Sequence, residues 1–285
     1  MTAYMDHKDL SNETIDAARA RAIGDGVHRT LDRIADAAAA AGRAPSTVRL
    51  LAATKTRDVG EIMAAIDAGV RMIGENRPQE IVAKTDGLAR LCAERGYTLG
   101  AADASGTPSA VAAAEDAPAD DTGMHIPFHL IGQLQSNKIG KVLPSADVIE
   151  SVDSIELAER IARRATARGI RVGVMLEVNE SGEASKSGCD PDVALAFAER
   201  IGALDGLELR GLMTIGAHTD DGTAIRAGFA HLRRTRDRII ASGLPGTAHC
   251  TELSMGMSGD LAFAIAEGAT IVRVGTGIFG ERAFI

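Results

Sequence analysis

The 285-residue chain, 45% hydrophobic and 25% charged, is long enough for one large α/β barrel or two smaller domains. Its net charge of −8 argues against a nucleic-acid binder, which needs a basic face to neutralise phosphates. No run of about 18 apolar residues occurs, and an amino terminus carrying Asp6, Lys8, Asp9 and Glu13 lacks the apolar core of a leader, so a cytoplasmic protein is expected. Cys92, Cys189 and Cys250 fit neither a disulfide set nor a metal-spaced cluster and are expected to be reduced thiols. With no Trp, two Tyr and six Phe, the core must be filled by Ala, Val, Ile and Leu.

Residues 1–11 read as a flexible tail, and 12–285 as one folded unit. Ile23, Val27, Leu31 and Ile34, with Ile15 two turns earlier, place one apolar stripe on a helix over 12–41. Gly24 and Gly26 weaken it, since glycine costs about 1 kcal/mol against alanine in a helix interior. Pro45 then leads into a strand over 48–55. A helix over 58–68 follows, with Asp58 as N-cap, Ile62, Ala65 and Ile66 on its inner face, and Gly69 ending it. A strand over 71–75 precedes a helix over 78–95, which Pro78 can open and Gly96 stops. Residues 97–126 carry no apolar periodicity and read as a mobile surface insertion. The alternation resumes with a strand over 128–131, a short helix over 138–142 and a strand over 148–152. A helix over 154–168 has Asp153 and Glu156 placed to cap its start. Next come a strand over 172–178, a polar loop over 179–189 and a helix over 191–201. A strand over 209–215, a helix over 223–241, a strand over 251–254, a helix over 259–266 and a strand over 270–274 complete the series.

Eight strands alternating with helices imply parallel pairing through crossovers, and eight can close into a (β/α)8 barrel of the TIM type with an extra amino-terminal helix. A doubly wound open sheet competes, but no Gly-x-Gly-x-x-Gly follows the first strand. On a closed barrel the strand ends meet at one mouth. They bring together Lys55, Glu75, Asn76, His129, Gly132, Gln133, Asn179, Met213, Thr214, Ser254, Met255, Gly256 and the run Arg273 to Gly277.

Lys55 closes an otherwise apolar strand. It is either a desolvated nucleophilic amine able to condense with an aldehyde or a strand-end lysine that snorkels to water or pairs with a carboxylate. Gly256 and Gly259 flank Ser258 before a helix, and Gly275-Thr276-Gly277 follows the last strand. Each is a glycine-rich turn, and together, after the seventh and eighth strands, they favour an anion site. Arg273 lies inside a strand, an expensive place for a guanidinium without a partner. That partner is a carboxylate within the barrel or the ring nitrogen of a ligand. A lysine, a phosphate cup and an arginine on one mouth are what pyridoxal phosphate requires. Ser136 and Asn137 read as a helix start, 183–188 as a solvated loop or an anion contact through Lys186, and His129 as a core histidine.

Six segments, Ala52 to Thr56, Ile73 to Arg77, Phe128 to Lys138, Gly211 to Ile215, Leu253 to Asp260 and Val272 to Gly280, resemble in order the pyridoxal phosphate homeostasis proteins (the YggS/PROSC family) over about 45–285. The resemblance implies a single barrel like the amino-terminal half of fold-type III enzymes such as alanine racemase, binding pyridoxal 5′-phosphate without an established reaction. It implies that Lys55 carries the internal aldimine and that Arg273 faces the pyridine nitrogen. Ser254, Gly256, Gly275 and Thr276 would hold the phosphate, and Asn76 and Met213 would line the ring. Lys186 looks like the family's loop lysine implicated in cofactor exchange. Departures are Phe128, where tryptophan is usual, and the insertion over 97–126, which bears on access or partners. The expected role is storage, delivery or regulation of the cofactor, with transient contact to apoenzymes, no metal, no membrane, and a monomer or weak dimer. The alternative is a fold-type III racemase or decarboxylase. It needs a second acid/base, supplied in alanine racemase-like enzymes by a tyrosine of an additional domain. Here the chain ends soon after the last strand, and its tyrosines, Tyr4 and Tyr97, lie in the tail and at the insertion edge. An aldolase-type use of Lys55 is disfavoured by the lack of an obvious carboxylate base beside it.

Overall fold

A computed structural model describes residues 9–101, 125–183 and 187–281. In chain order the strands are β1 (Arg49–Ala53), β2 (Ile73–Glu75), β3 (Thr98–Leu99), β4 (His125–Ile126), β5 (Phe128–Leu130), β6 (Val148–Val152), β7 (Val172–Glu177), β8 (Leu207–Met213), β9 (Glu252–Ser254) and β10 (Ile271–Val274). The helices are α1 (Ala17–Ala40), α2 (Val59–Asp67), α3 (Pro78–Ala93), α4 (Ile139–Val142), α5 (Ile155–Thr166), α6 (Ala194–Gly202), α7 (Gly222–Ala241), α8 (Leu261–Ala266) and α9 (Thr276–Phe279). The eight strands other than β3 and β4 form one parallel sheet in chain order, and β10 returns to β1 to close the barrel. The expected (β/α)8 fold is therefore the observed one, and no open edge remains in this sheet. No helix among the described residues is long and apolar enough to cross a membrane.

Alternation along each strand divides its side chains between two environments. Leu51, Met72, Ile131, Val148, Met175, Met213 and Ile271 form the apolar filling of the barrel, with Ala53 packed on it. The outward-facing residues join the helices in a second, larger core. All three cysteines are free thiols in that apolar shell, and burial pushes Cys92 up to about 11 and Cys189 and Cys250 up to about 12.

Several elements differ from the sequence reading. Helix α1 begins at Ala17, where the Asp16 side chain accepts from the Ala18 and Arg19 N–H groups. Its buried face is Ile23, Gly26, Val27, Thr30, Ile34 and Ala38, while Leu31 is 37% exposed. The stripe is rotated toward Thr30 because that hydroxyl is satisfied locally, donating to the Gly26 carbonyl at 2.8 Å. Asp58 caps α2 as expected, in a reciprocal capping box with Glu61. The carbonyls of Leu10 and Asn12 accept from the Val59 and Gly60 N–H groups, so the chain from 9 onward is docked on the start of α2. Neither Asp153 nor Glu156 caps α5: Ser154 holds the N-cap position, and its hydroxyl donates to Asp153 rather than accepting a helix N–H. At the edges of the expected insertion, β3 and β4 pair in parallel, with Leu99 and Ile126 buried. Two-residue strands are too short for period-two patterning to reveal them. Residues 1–8 and 102–124, where the remainder of the expected tail and insertion fall, lie outside the described residues.

Gly26 is fixed by packing rather than by conformation. A Cβ there would stand 2.4 Å from the carbonyl oxygen of Ile278, whereas a Cβ on Gly24 would meet only the Ala68 Cβ, at 3.7 Å. Gly24→Ala is expected to stabilise the protein by about 0.5–1 kcal/mol through helix propensity alone. At Gly26 overpacking against backbone outweighs the same gain, and Gly26→Ala is expected to destabilise by about 1–3 kcal/mol. Denaturant titration of both variants measures the difference in sign.

Candidate functional site

In β1, Leu51 and Ala53 point into the barrel and Ala52 points to the helices. The same alternation carried two residues further aims Lys55 into the mouth and Thr54 outward. The strand pairing extends that far, since the Thr54 N–H donates to the Gly74 carbonyl at 2.9 Å. The chain then turns, closed by the Arg57 N–H on the Thr54 carbonyl, with Thr56 at φ +67°. Lys55 is half-buried at this turn.

Inside the barrel, Arg273 is 5% exposed, and the ends of two strands, β8 and β9, supply its acceptors. Its two terminal nitrogens donate to the Ser254 carbonyl and hydroxyl, each at 2.7 Å, and to the Thr214 carbonyl at 2.7 Å. Glu150 Oε2 lies 3.9 Å from the guanidinium and accepts from the Ser254 hydroxyl at 2.6 Å. Its other oxygen meets His129 Nδ1 at 2.6 Å, so His129 is a satisfied core histidine. Burial alone would raise Glu150; the hydrogen bond and charge of His129 and the charge of Arg273 outweigh it and hold the carboxyl below its usual range. Glu177, two residues beyond inward-facing Met175 at the end of β7, is close enough to feel the charges of Arg273 and Glu150. Burial pushes it up to about 7, with Asp153 adding to the shift and Arg273 opposing it.

The loops after β9 and β10 converge. Gly256 has φ +91°, and a Cβ on it would strike the Ala264 Cβ at 2.5 Å. A Cβ on Gly277 would lie 3.7 Å from Ser258 Oγ, and one on Gly275 would lie 3.1 Å from the Ala53 carbonyl. The loop after β10 thus lies beside the end of β1, which leads to Lys55, and the loop after β9 meets it through Ser258. Asn76 is drawn to the same rim, its carbonyl in such close contact with Gly132 that a Cβ there would approach to 2.3 Å.

Comparison with known proteins gives this arrangement a context. A family model described as "Alanine racemase, N-terminal domain" matches residues 30–283. The pyridoxal phosphate homeostasis protein of Pseudomonas aeruginosa is 37% identical over 262 residues, which are 92% of this chain and 96% of that protein. The chain belongs to the pyridoxal phosphate homeostasis family. A crystal structure of an unknown protein from Bifidobacterium adolescentis matches with a TM-score of 0.87 and 69% identity, covering 95% of this chain and 100% of that one. PipY of Synechococcus elongatus, solved with PLP bound, matches with a TM-score of 0.66 and 33% identity, covering 87% of this chain and 100% of that one.

In this member of the pyridoxal phosphate homeostasis family, Met213, Ser254 and Arg273 lie within the barrel, and Lys55, Asn76, Gly256, Gly275 and Thr276 lie at strand ends around its mouth. Ser254 is wholly buried, and its hydroxyl serves Glu150 and Arg273. Lys186 lies outside the described residues. Sequence reasoning missed Glu150 and Glu177, although each is a charge in an apolar strand, the signal that singled out Lys55 and Arg273. It also missed the outward side of the Lys55 turn. There Lys84 donates to Glu75 Oε1 at 2.6 Å, to Glu80 Oε2 at 3.0 Å and to the Thr54 carbonyl at 3.1 Å, with all three charged side chains fully buried. Burial raises Glu75 to about 7 against the pull of Lys84, with Glu80 adding to the rise.

A carboxyl raised on folding stabilises the protein below its unfolded value, and that contribution is lost as pH climbs through the folded value. Glu75→Gln removes this proton uptake. Relative to wild type, the melting temperature of the variant is expected to rise between about pH 4.5 and 7, the interval of the Glu75 shift, and a flat difference would contradict the assignment.

Proposed function

We propose that this protein holds pyridoxal 5′-phosphate in the barrel mouth and stores or delivers it, rather than using it for rapid turnover. The observation that carries the reading is the convergence of Lys55, aimed inward at the end of β1, with the glycine-relieved loops after β9 and β10. PipY, a relative with PLP bound, supports it. Lys55 would bond covalently to the aldehyde carbon. The Gly256–Ser258 and Gly275–Gly277 backbone would receive the phosphate, where N–H groups and a hydroxyl can face an anion. Ser254 would act one step behind, holding Arg273. Arg273 would lie toward the ring nitrogen, where a permanent cation disfavours protonation. Asn76 and Met213 would flank the ring. When bound, the cofactor supplies an electron sink for carbanions, and an unprotonated ring nitrogen weakens it.

Geometry also favours the carrier over the racemase alternative. Tyr97 stacks under Arg71, 5.0 Å from guanidinium to ring centroid, at the barrel end where β2 begins and away from Lys55. Among the described residues, the acid inside the barrel poised near neutrality is Glu177.

Borohydride reduction of the cofactor-loaded protein, followed by peptide mapping, should place the pyridoxyl group on Lys55, and Lys55→Ala should fold but lose the visible absorption band. Label recovered only elsewhere would refute the site. Pyridoxal without its phosphate should bind more weakly, since each charge-assisted hydrogen bond to the anion contributes about 1.5–3 kcal/mol.

With a panel of D- and L-amino acids, α-proton exchange into deuterated water should stay far below about 1 s⁻¹. Transfer of cofactor to an apoenzyme should proceed. Sustained turnover at enzymatic rates would overturn the carrier reading.

A further inference from the structure

The turn that carries Lys55 has the wrong residue for its shape. The Arg57 N–H closes it on the Thr54 carbonyl, making Lys55 and Thr56 its central residues, and the second of these takes φ +67°. A turn with a left-handed residue at that place ordinarily requires glycine, and a β-branched threonine is strained there. Something outside the turn must hold it.

The holding groups are buried on the outward side of β1. Glu80 Oε2 accepts from the Thr56 N–H at 2.7 Å, so the residue after Lys55 is tied to α3. Lys84 donates to the Thr54 carbonyl at 3.1 Å, and the Thr54 hydroxyl donates to Glu75 Oε1 at 2.6 Å, so the residue before Lys55 is tied to the same cluster. Lys84 also bridges Glu75 and Glu80. Burial would raise Glu80, but the charge of Lys84 and the Thr56 N–H hold it below the usual carboxylate range, so it remains the ionised acceptor. Stability does not explain the arrangement, because apolar side chains of similar volume commonly replace a buried ion cluster without loss. This cluster also leaves Glu75 Oε2 and Glu80 Oε1 without a hydrogen-bond partner among the described residues. Its distinctive product is a fixed backbone on both sides of one lysine.

We propose that Glu80, supported by Lys84 and Glu75, is a positioning residue for Lys55: it clamps Thr56 in its strained conformation and thereby sets the direction of the amine. The inference rests on the cofactor reading above. Its partner in chemical terms is the aldehyde carbon of the bound ligand, and its effect is confined to the covalent step.

The test compares two ligands on wild type, Glu80→Asp, Glu80→Gln and the double variant Thr56→Gly/Glu80→Asp. Pyridoxal 5′-phosphate has the aldehyde; pyridoxine 5′-phosphate shares the ring and phosphate but cannot bond to the amine. Aspartate keeps the charge opposite Lys84 but retracts the carboxylate from the Thr56 N–H. Glu80→Asp is expected to weaken pyridoxal 5′-phosphate binding about tenfold while leaving pyridoxine 5′-phosphate within about twofold. Glu80→Gln keeps an acceptor at full reach of the Thr56 N–H but removes the charge opposite Lys84, so its loss of pyridoxal 5′-phosphate affinity should be smaller than that of Glu80→Asp. Glycine at 56 removes the strain, so the double variant should recover the lost affinity. In the ligand-free protein, the Thr56 amide should be protected from hydrogen exchange in wild type and exchange faster in Glu80→Asp. That measurement stands even if a variant is too unstable for titration. Parallel loss of both ligands, no loss with Glu80→Asp, no rescue by glycine, or an unprotected Thr56 amide in wild type would each overturn the proposal. Failure of wild type to bond covalently to pyridoxal 5′-phosphate would instead overturn the cofactor reading.

Discussion

A guanidinium has been taken out of water inside the barrel, and much of the site follows from satisfying it. Arg273 can be buried only where acceptors already exist, and it finds them on the ends of β8 and β9 and in Glu150 of β6. These bonds tie strands that the ladder alone would leave free to fray at their carboxyl ends. Removing one partner would strand a buried charge at a cost of about 3–5 kcal/mol, more than most single contacts contribute. Glu150 in turn recruits His129 and Ser254, so a charged layer crosses the barrel interior. Leu51, in register with Arg273, belongs to the apolar filling beside this layer, and the chain runs on from it to Lys55 at the mouth.

Lys55 meets a different constraint. Its inward direction comes from strand alternation, but the strand ends at Ala53, and beyond it the backbone must be held by other means. The Glu75–Lys84–Glu80 cluster supplies them from the outer side of the sheet. The two polar systems are thus distinct. One organises the inside of the barrel and the other the space between barrel and helices, with Lys55 where they approach each other.

This division explains what could be read from the sequence. A charge interrupting an apolar strand is conspicuous, so Lys55 and Arg273 stood out, and the alternation of strands with helices gave the barrel. Glu150 sits in Val-Ile-Glu-Ser-Val with the same signature, yet it lies mid-strand, and attention to strand ends passes over it. Lys84 offers no such sign. Four residues after Glu80 on a helix, it matches an exposed ion pair, and only the three-dimensional approach of α3 to the β1 turn makes it buried. Ser254 was conspicuous as a strand-end hydroxyl, but its orientation depends on Glu150 more than 100 positions earlier. Leu31 and Thr30 exchanged places because one internal hydrogen bond let a hydroxyl enter the core.

The pairing of β3 with β4 bears on how this sequence can change over generations. β3 follows α3 and β4 leads into β5, so both strands stand at the amino-terminal end of the barrel, opposite Lys55. Gly100 packs against Ser145, and His125 bonds Thr98 and Asp147, so the anchors are fastened to the scaffold before the intervening segment begins. Loop-closure entropy grows slowly with length, about 0.6 kcal/mol for each doubling. Because the anchors are paired at the end opposite Lys55, a change in the length of chain joining them leaves the register of the strands that carry Lys55 and Arg273 undisturbed.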